Sequence, residues 1–241
     1  MPNSGRTVPP IYLPEPRAVL ITRPREDAAR TAELVAARGF LPVVAPFMTI
    51  RPCSPTVPAG VQAMLVTSSN ALAALPVRDV PLLAVGDATA ERARNAGFSH
   101  VRSAGRDGAA LAGLSTRTLR PKDGPLLLAC GARQGFAVAA ALRHAGFAVV
   151  RRVTYTAVPV RAFPAEAAAA LYDGNLHAAL FLSAETAAAF VRTMPAACRS
   201  HVRNVMALAI GKPAADALQS LPWRRIRVPD TPTLDGLLAL L

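Results

Sequence analysis

The residues able to do chemistry in this 241-residue sequence recur in one kind of setting. Thr67-Ser68-Ser69-Asn70 follows the apolar start of Ala63-Met-Leu-Val, and Ser183 follows Ala178-Ala-Leu-Phe-Leu in the same way. Each apolar run breaks at a Ser and turns Ala-rich. That pattern predicts a buried strand ending in a polar turn that caps a helix, because Ser or Asn there accepts the first unpaired helix N–H groups. Gly86-Asp87-Ala88-Thr89 and Gly211-Lys212-Pro213 read as tight strand-to-helix turns, and the Lys212 ammonium has a use only if something negative comes near. Thr22-Arg23-Pro24 closes a first strand. Arg23 there forks either onto a carboxylate ligand or onto Glu26 or Asp27 beside it. Tyr155 either packs or offers its hydroxyl as a donor.

Standard machinery is missing from the sequence. It holds no catalytic triad, no metal-binding motif, no Gly-x-Gly-x-x-Gly and no P-loop, so a bound nucleotide is not expected. His100, His144, His177 and His201 fall in predicted loops or helix ends and read as bystanders. Cys53, Cys130 and Cys198 are odd in number and widely spaced, which fits small buried hydrophobes in a reduced, cytoplasmic protein without structural zinc.

The elements that must position these residues also come in pairs. The strand, Gly turn and helix of Leu82–Phe98 are matched by Ala207–Leu218. Val19-Leu-Ile-Thr-Arg-Pro with its helix to Gly39-Phe40 is matched by Leu126-Leu-Leu-Ala-Cys-Gly with its helix to Gly146-Phe147. Three matched βα units predict two similar α/β lobes, each with a parallel sheet covered by helices on both faces. Pro-rich boundaries near 51–60 and 158–164 then divide the chain. Residues 1–16, with five prolines, are a flexible tail and not a secretory signal. Residues 17–48 and 158–241 form a discontinuous first lobe, 53–152 the second, and 49–52 with 153–157 two connector strands. Tyr155 in the second connector would face the cleft between the lobes. Ligands of open parallel sheets sit beyond the carboxyl ends of the strands, where helix N-termini attract anions, so the cleft is the expected site.

Charge points the same way. The formal net charge is +12, and only Lys122 and Lys212 among the 27 basic residues are lysines. Arginine suits carboxylates and phosphates, although an Ala-, Arg- and Pro-rich composition also follows from coding bias. The arginines are scattered and only 5% of residues are aromatic, which argues against nucleic acid. No apolar run reaches the length of a membrane span.

In order and spacing, Ile21-Thr-Arg-Pro24, Val66-Thr-Ser-Ser-Asn-Ala71, Ala84-Val-Gly-Asp-Ala-Thr89, Tyr155, Phe181-Leu-Ser183, Ala209-Ile-Gly211 and Pro232-Thr233 resemble the uroporphyrinogen-III synthase family. The resemblance implies two α/β lobes on a two-stranded connector, with the active site in the cleft. It also implies cyclisation of the linear tetrapyrrole hydroxymethylbilane to uroporphyrinogen III, with loss of water and inversion of the last ring, without metal or organic cofactor. By position it implies Tyr155 as the catalytic tyrosine and Thr22, Arg23, Ser68, Ser69, Thr89, Ser183, Lys212 and Thr233 as substrate-binding residues. The sequence departs from the family pattern at Ala214, where a Thr is common, and at Tyr155-Thr-Ala, where Tyr-Arg-Thr is usual; backbone N–H groups are then expected to carry more of the binding. A monomer acting on the tetrapyrrole is expected. The competing expectations are a non-enzymatic bilobed binding protein for an acidic small molecule and, behind it, a regulatory or nucleic-acid-associated protein.

Overall fold

The computed structural model describes residues 17–241; the flexible tail expected over 1–16 lies outside them. The described chain divides into two units, one of residues 17–47 and 159–241 and the other of Met48–Val158.

In the first unit, β1 (Ala18–Ile21), β2 (Leu41–Val44), β9 (Leu176–Phe181), β10 (Met206–Ala209) and β11 (Arg225–Arg227) form a parallel sheet in the order β11-β10-β9-β1-β2. β1 is Ala-Val-Leu-Ile and every residue of it is buried, as expected of a central parallel strand covered on both faces. Val19 and Ile21 pack with Leu180, Leu208 and Leu237 on one face. Phe181 meets Phe190 on another cluster, edge to face at 5.1 Å, which Phe47 and Trp223 extend at 4.9 and 5.4 Å from Phe190. The covering helices are α1 (Arg25–Ala36), α5 (Ala165–Tyr172), α6 (Ala184–Thr193), α7 (Lys212–Leu218) and α8 (Leu234–Leu238).

In the second unit, β3 (Met48–Pro52), β4 (Ala63–Val66), β5 (Leu82–Ala84), β6 (Val101–Ser103), β7 (Leu126–Gly131) and β8 (Val149–Pro159) pair in the order β3-β8-β7-β4-β5-β6. Side chains alternate across the sheet. Met64, Val66, Leu82 and Leu127 build one core with Tyr155, while Ala63, Leu65, Leu83, Leu126 and Leu128 build another under α3 (Gly108–Thr118) and α4 (Phe136–His144). The remaining α-helix is α2 (Asp87–Asn95).

The paired βα units leave a shared signature. α1 and α4 both stop at a glycine with left-handed backbone, Gly39 at φ 81° and Gly146 at φ 86°, a conformation that only glycine adopts without strain. The following Phe N–H then reaches back into the last turn, Phe40 to Val35 O and Phe147 to Leu142 O. The strand orders match as well. Numbered along the chain, the first sheet runs 2-1-3-4-5, and the second does so when counting starts from β7 and wraps round, with β3 added outside β8. The second unit is thus a circular permutation of the first.

Residues 153–157, expected as the second connector, lie within β8, which runs unbroken over eleven residues. One expectation needs correction. His177 lies within β9 and not in a loop or at a helix end, its ring stacked on Phe40 at 5.2 Å. All three cysteines are free thiols; Cys130 and Cys198 are buried, whereas Cys53 is only half-buried. No described helix is long and apolar enough to cross a membrane.

Candidate active site

A 2-1-3-4-5 sheet places its crevice where successive connections leave in opposite directions, between β1 and β9 in the first unit and between β7 and β4 in the second. The expected site residues lie beyond the carboxyl ends of these strands and their neighbours.

In the first unit, Thr22 and Arg23 follow β1, Ser183 follows β9, and Lys212 follows β10. Thr22 was expected to touch substrate, but it is wholly buried and its hydroxyl donates to Leu180 O, so it ties β1 to β9. The Arg23 guanidinium donates to Thr31 Oγ1 at 3.1 Å and lies 3.7 Å from Asp27; the alternative partner, the Glu26 side chain, lies outside the described residues. Ser183 caps α6, its Oγ accepting from Thr186 N at 3.1 Å and meeting Thr186 Oγ1 at 2.8 Å. Lys212 is exposed, and its negative partner is Asp216 one turn along α7 at 2.8 Å. Thr233 caps α8, accepting from Gly236 N at 3.1 Å. Apart from Thr22, these polar groups are employed within their own elements or close beside them.

The second unit is built differently. The first Ser turn leads not into an α-helix but into a six-residue 3-10 helix, Ser69–Ala74, which Ser68 caps through Asn70 N at 3.3 Å. Pro76 disfavours helical backbone at the preceding Leu75, so the segment has no room for an α-helical run. Ser69 Oγ accepts from Arg92 of α2 at 2.6 Å, and Thr89, half-buried, lies in the first turn of that helix. Thr67 Oγ1 is buried with no hydrogen-bond partner, which marks this turn as a place where a polar group is held at a cost.

Tyr155 stands level with Gly131, the last residue of β7. Its ring lies against that glycine, and a Cβ there would come within 2.9 Å of two ring carbons. Only 4% of the residue is exposed, so within this unit it belongs to the core. Its hydroxyl donates to Gln134 Oε1 at 2.8 Å. Gln134 belongs to the loop joining β7 to α4, and Arg151 binds that loop by donating to Gln134 O at 2.9 Å, Ala132 O at 2.7 Å and Gly131 O at 3.2 Å. The Cys130 thiol also donates to Gln134 O at 3.2 Å. Burial pushes this thiol up from its ordinary value, only partly offset by the Arg151 charge and hydrogen bond, so it remains a neutral donor.

Sequence reasoning missed Gln134, Gly131, Arg151 and Arg92. Only Gly131 carried a signal, as the glycine closing an apolar strand. A cavity of about 300 Å3 lined by Pro81, His100, Arg102 and Thr118 opens at the amino ends of β5 and β6, away from the carboxyl edge. The described residues contain no group of three or more His, Cys, Asp or Glu able to hold a metal ion.

The sequence profile of the family described as uroporphyrinogen-III synthase HemD matches residues 29–239. The chain belongs to the uroporphyrinogen-III synthase family. Its activity is that family's cyclisation of hydroxymethylbilane to uroporphyrinogen III in tetrapyrrole biosynthesis, so a non-enzymatic binding protein is not favoured. Among solved structures, the uroporphyrinogen-III synthetase of Helicobacter pylori 26695 is similar over 93% of this chain and 97% of its own, with a TM-score of 0.57 and 17% identity. That likeness supports the mixed α/β fold with parallel sheets. The wild-type synthase from the extremely thermophilic bacterium Thermus thermophilus aligns over 92% of this chain and 95% of its own, at TM-score 0.40 and 21% identity. No curated protein matches the sequence.

Proposed function

We propose that the carboxyl edges of the two units serve one substrate as two walls of a cleft, joined by connector strands over 49–52 and 153–157, with Tyr155 as the acid. The observation that carries this reading is the Tyr155 phenol on β8, level with the carboxyl end of β7, seated on Gly131 and adjoining the crevice between β7 and β4. Hydroxymethylbilane is an octa-acid. Helix N-termini at Ser68, Gly86, Ser183 and Gly211 offer its carboxylates N–H groups, each worth about 0.3–1 kcal/mol. Ser69 and Thr89 on one unit, with Arg23, Lys212 and Thr233 on the other, add polar contacts once substrate competes with their present partners. Thr22 shapes the edge and does not touch substrate.

The chemistry needs little from the protein. The Tyr155 proton goes to the departing hydroxide, giving water, and the phenolate regains a proton from the pyrrole N–H as the azafulvene forms. The electron-rich pyrroles drive the rest, through attack at the substituted carbon of the last ring and a spirocyclic intermediate. Acid assistance is worth on the order of 100- to 10,000-fold, whereas orientation supplies roughly 7–11 kcal/mol. Holding the chain folded is therefore the larger task.

Turnover of Tyr155→Phe tests the reading, with the porphyrinogen isomers identified after oxidation. A fall of about tenfold or more in kcat is expected. A smaller change removes Tyr155 from the acid role and leaves positioning as the main effect.

A further inference from the structure

The geometry points to Gln134 as a positioning residue whose side-chain amide holds the Tyr155 hydroxyl and sets the direction in which its proton is offered. This deepens the reading of Tyr155 as the acid and rests on it.

Tyr155 is buried while Gln134 is exposed, so the amide is the outer layer over the phenol. The phenolic O–H is committed to Gln134 Oε1 at 2.8 Å. A phenol in that state has its proton turned to the amide and not to substrate. Rotating the amide by half a turn about its last torsion replaces Oε1 with Nε2, which donates to the phenol oxygen, frees the proton for the departing hydroxide and supports the phenolate left behind. An amide can play both parts; a carboxylate can play only the first.

The backbone around Gln134 is unusually well held for an exposed loop. Its N–H donates to Gly131 O at 3.0 Å, and its carbonyl accepts from both Arg151 and the Cys130 thiol. Arg151 is itself set over the Phe136 ring at 4.1 Å. The next residue, Gly135, has φ 81°, and a Cβ there would come within 2.9 Å of Cys130 Sγ. On the other side Ala132 N donates to Tyr155 O at 3.2 Å. Loop and strand are tied at both ends while the amide itself remains the part free to rotate.

Three variants test this: Gln134→Leu, Gln134→Glu and the double variant Gln134→Leu/Tyr155→Phe. Gln134→Leu is expected to lower kcat about tenfold or more with KM within about twofold. The same change in the Tyr155→Phe background is expected to cost less than about twofold, since a residue acting through the phenol has nothing left to act on. Gln134→Glu accepts but cannot donate, so it lowers kcat like leucine. Its negative charge also moves the phenol ionisation of Tyr155 upward, read as the absorbance titration that Tyr155→Phe removes. A full loss from Gln134→Leu in the Tyr155→Phe background overturns the inference while leaving Tyr155 as the acid. So does an unmoved ionisation in Gln134→Glu. A small effect of Tyr155→Phe alone overturns the underlying reading instead, and the ionisation shift then still decides whether Gln134 governs the phenol.

Discussion

The two sheets share a strand order, yet their carboxyl edges employ polar side chains in opposite ways. On the first unit, Thr22 apart, the polar side chains bond locally: Ser183 caps its own helix, Lys212 meets Asp216 one turn on, and Arg23 reaches Asp27 and Thr31 of α1. On the second unit the bonds run between elements. Arg92 of α2 reaches Ser69 of the 3-10 helix, Tyr155 of β8 reaches the β7–α4 loop, and the buried Thr67 hydroxyl has no partner. Local pairs stabilise a helix wherever it sits. Bonds between elements fix the relative placement of several groups, which is what a reacting centre requires.

The strongest way to break this contrast is Gly131→Ala. The added Cβ would fall 2.9 Å from the Tyr155 ring, so the ring must move. A loss of about 1–3 kcal/mol in urea unfolding is expected, together with a fall in kcat at least as large as that of Tyr155→Phe. Gly211→Ala on the other edge meets nothing closer than Pro213 Cδ at 3.9 Å and should cost under about 1 kcal/mol. Equal effects at the two glycines would erase the distinction between the edges.

The paired serines sharpen it. Ser183→Ala removes a 3.1 Å cap on a ten-residue α-helix and is expected to cost about 1 kcal/mol. Ser68→Ala loses a longer bond, 3.3 Å, on a six-residue 3-10 helix and is expected to cost less than half of that while raising KM more. Denaturant midpoints and turnover on both variants check the ranking.

The smallest effect concerns pH. In the aligned repeats His177 of β9 stands where the first copy has Gln62. Burial, and then the Arg17 and Arg224 charges, hold His177 below its ordinary value, against a raising hydrogen bond with the Leu241 backbone. The folded state therefore refuses a proton that the unfolded chain accepts. Stability is full above about pH 6.5 and declines as pH falls from there through the folded value. His177→Gln, making the second copy like the first, should reduce the loss of Tm between about pH 7.5 and 5.5. An unchanged slope would show that His177 does not carry it.

Much of this fold was legible because central parallel strands are plain apolar runs: β1, β4 and β7 are buried at every position. The strand–Ser–helix units and the helix–Gly–Phe stops could be read as well, being local. Less could be read of the first Ser turn, where Pro76 limited the helix to a 3-10 run. The surroundings of Tyr155 were illegible in another sense. Its partner Gln134 lies 21 residues away and its ring seat, Gly131, is on a neighbouring strand, so only the register of β7 against β8 brings them together. Thr22 shows the same limit: a hydroxyl at a strand end reads as available until a carbonyl 158 residues on is found to take it.

That last separation bears on how the chain is made. β1 is synthesised well before β9 but lies inside its sheet, between β9 and β2, and it must wait for β9. Meanwhile all of Met48–Val158 emerges as one contiguous stretch able to complete its own sheet. Once it has, Cys53 N lies 2.8 Å from Thr154 O, and Phe47 O can meet Val160 N at 3.1 Å. The long excursion between β1 and β9 is then short-circuited to the residues of the first unit alone, saving about 1 kcal/mol of closure entropy. The inserted unit thereby serves as a splint that delivers β9 to a strand made well before it.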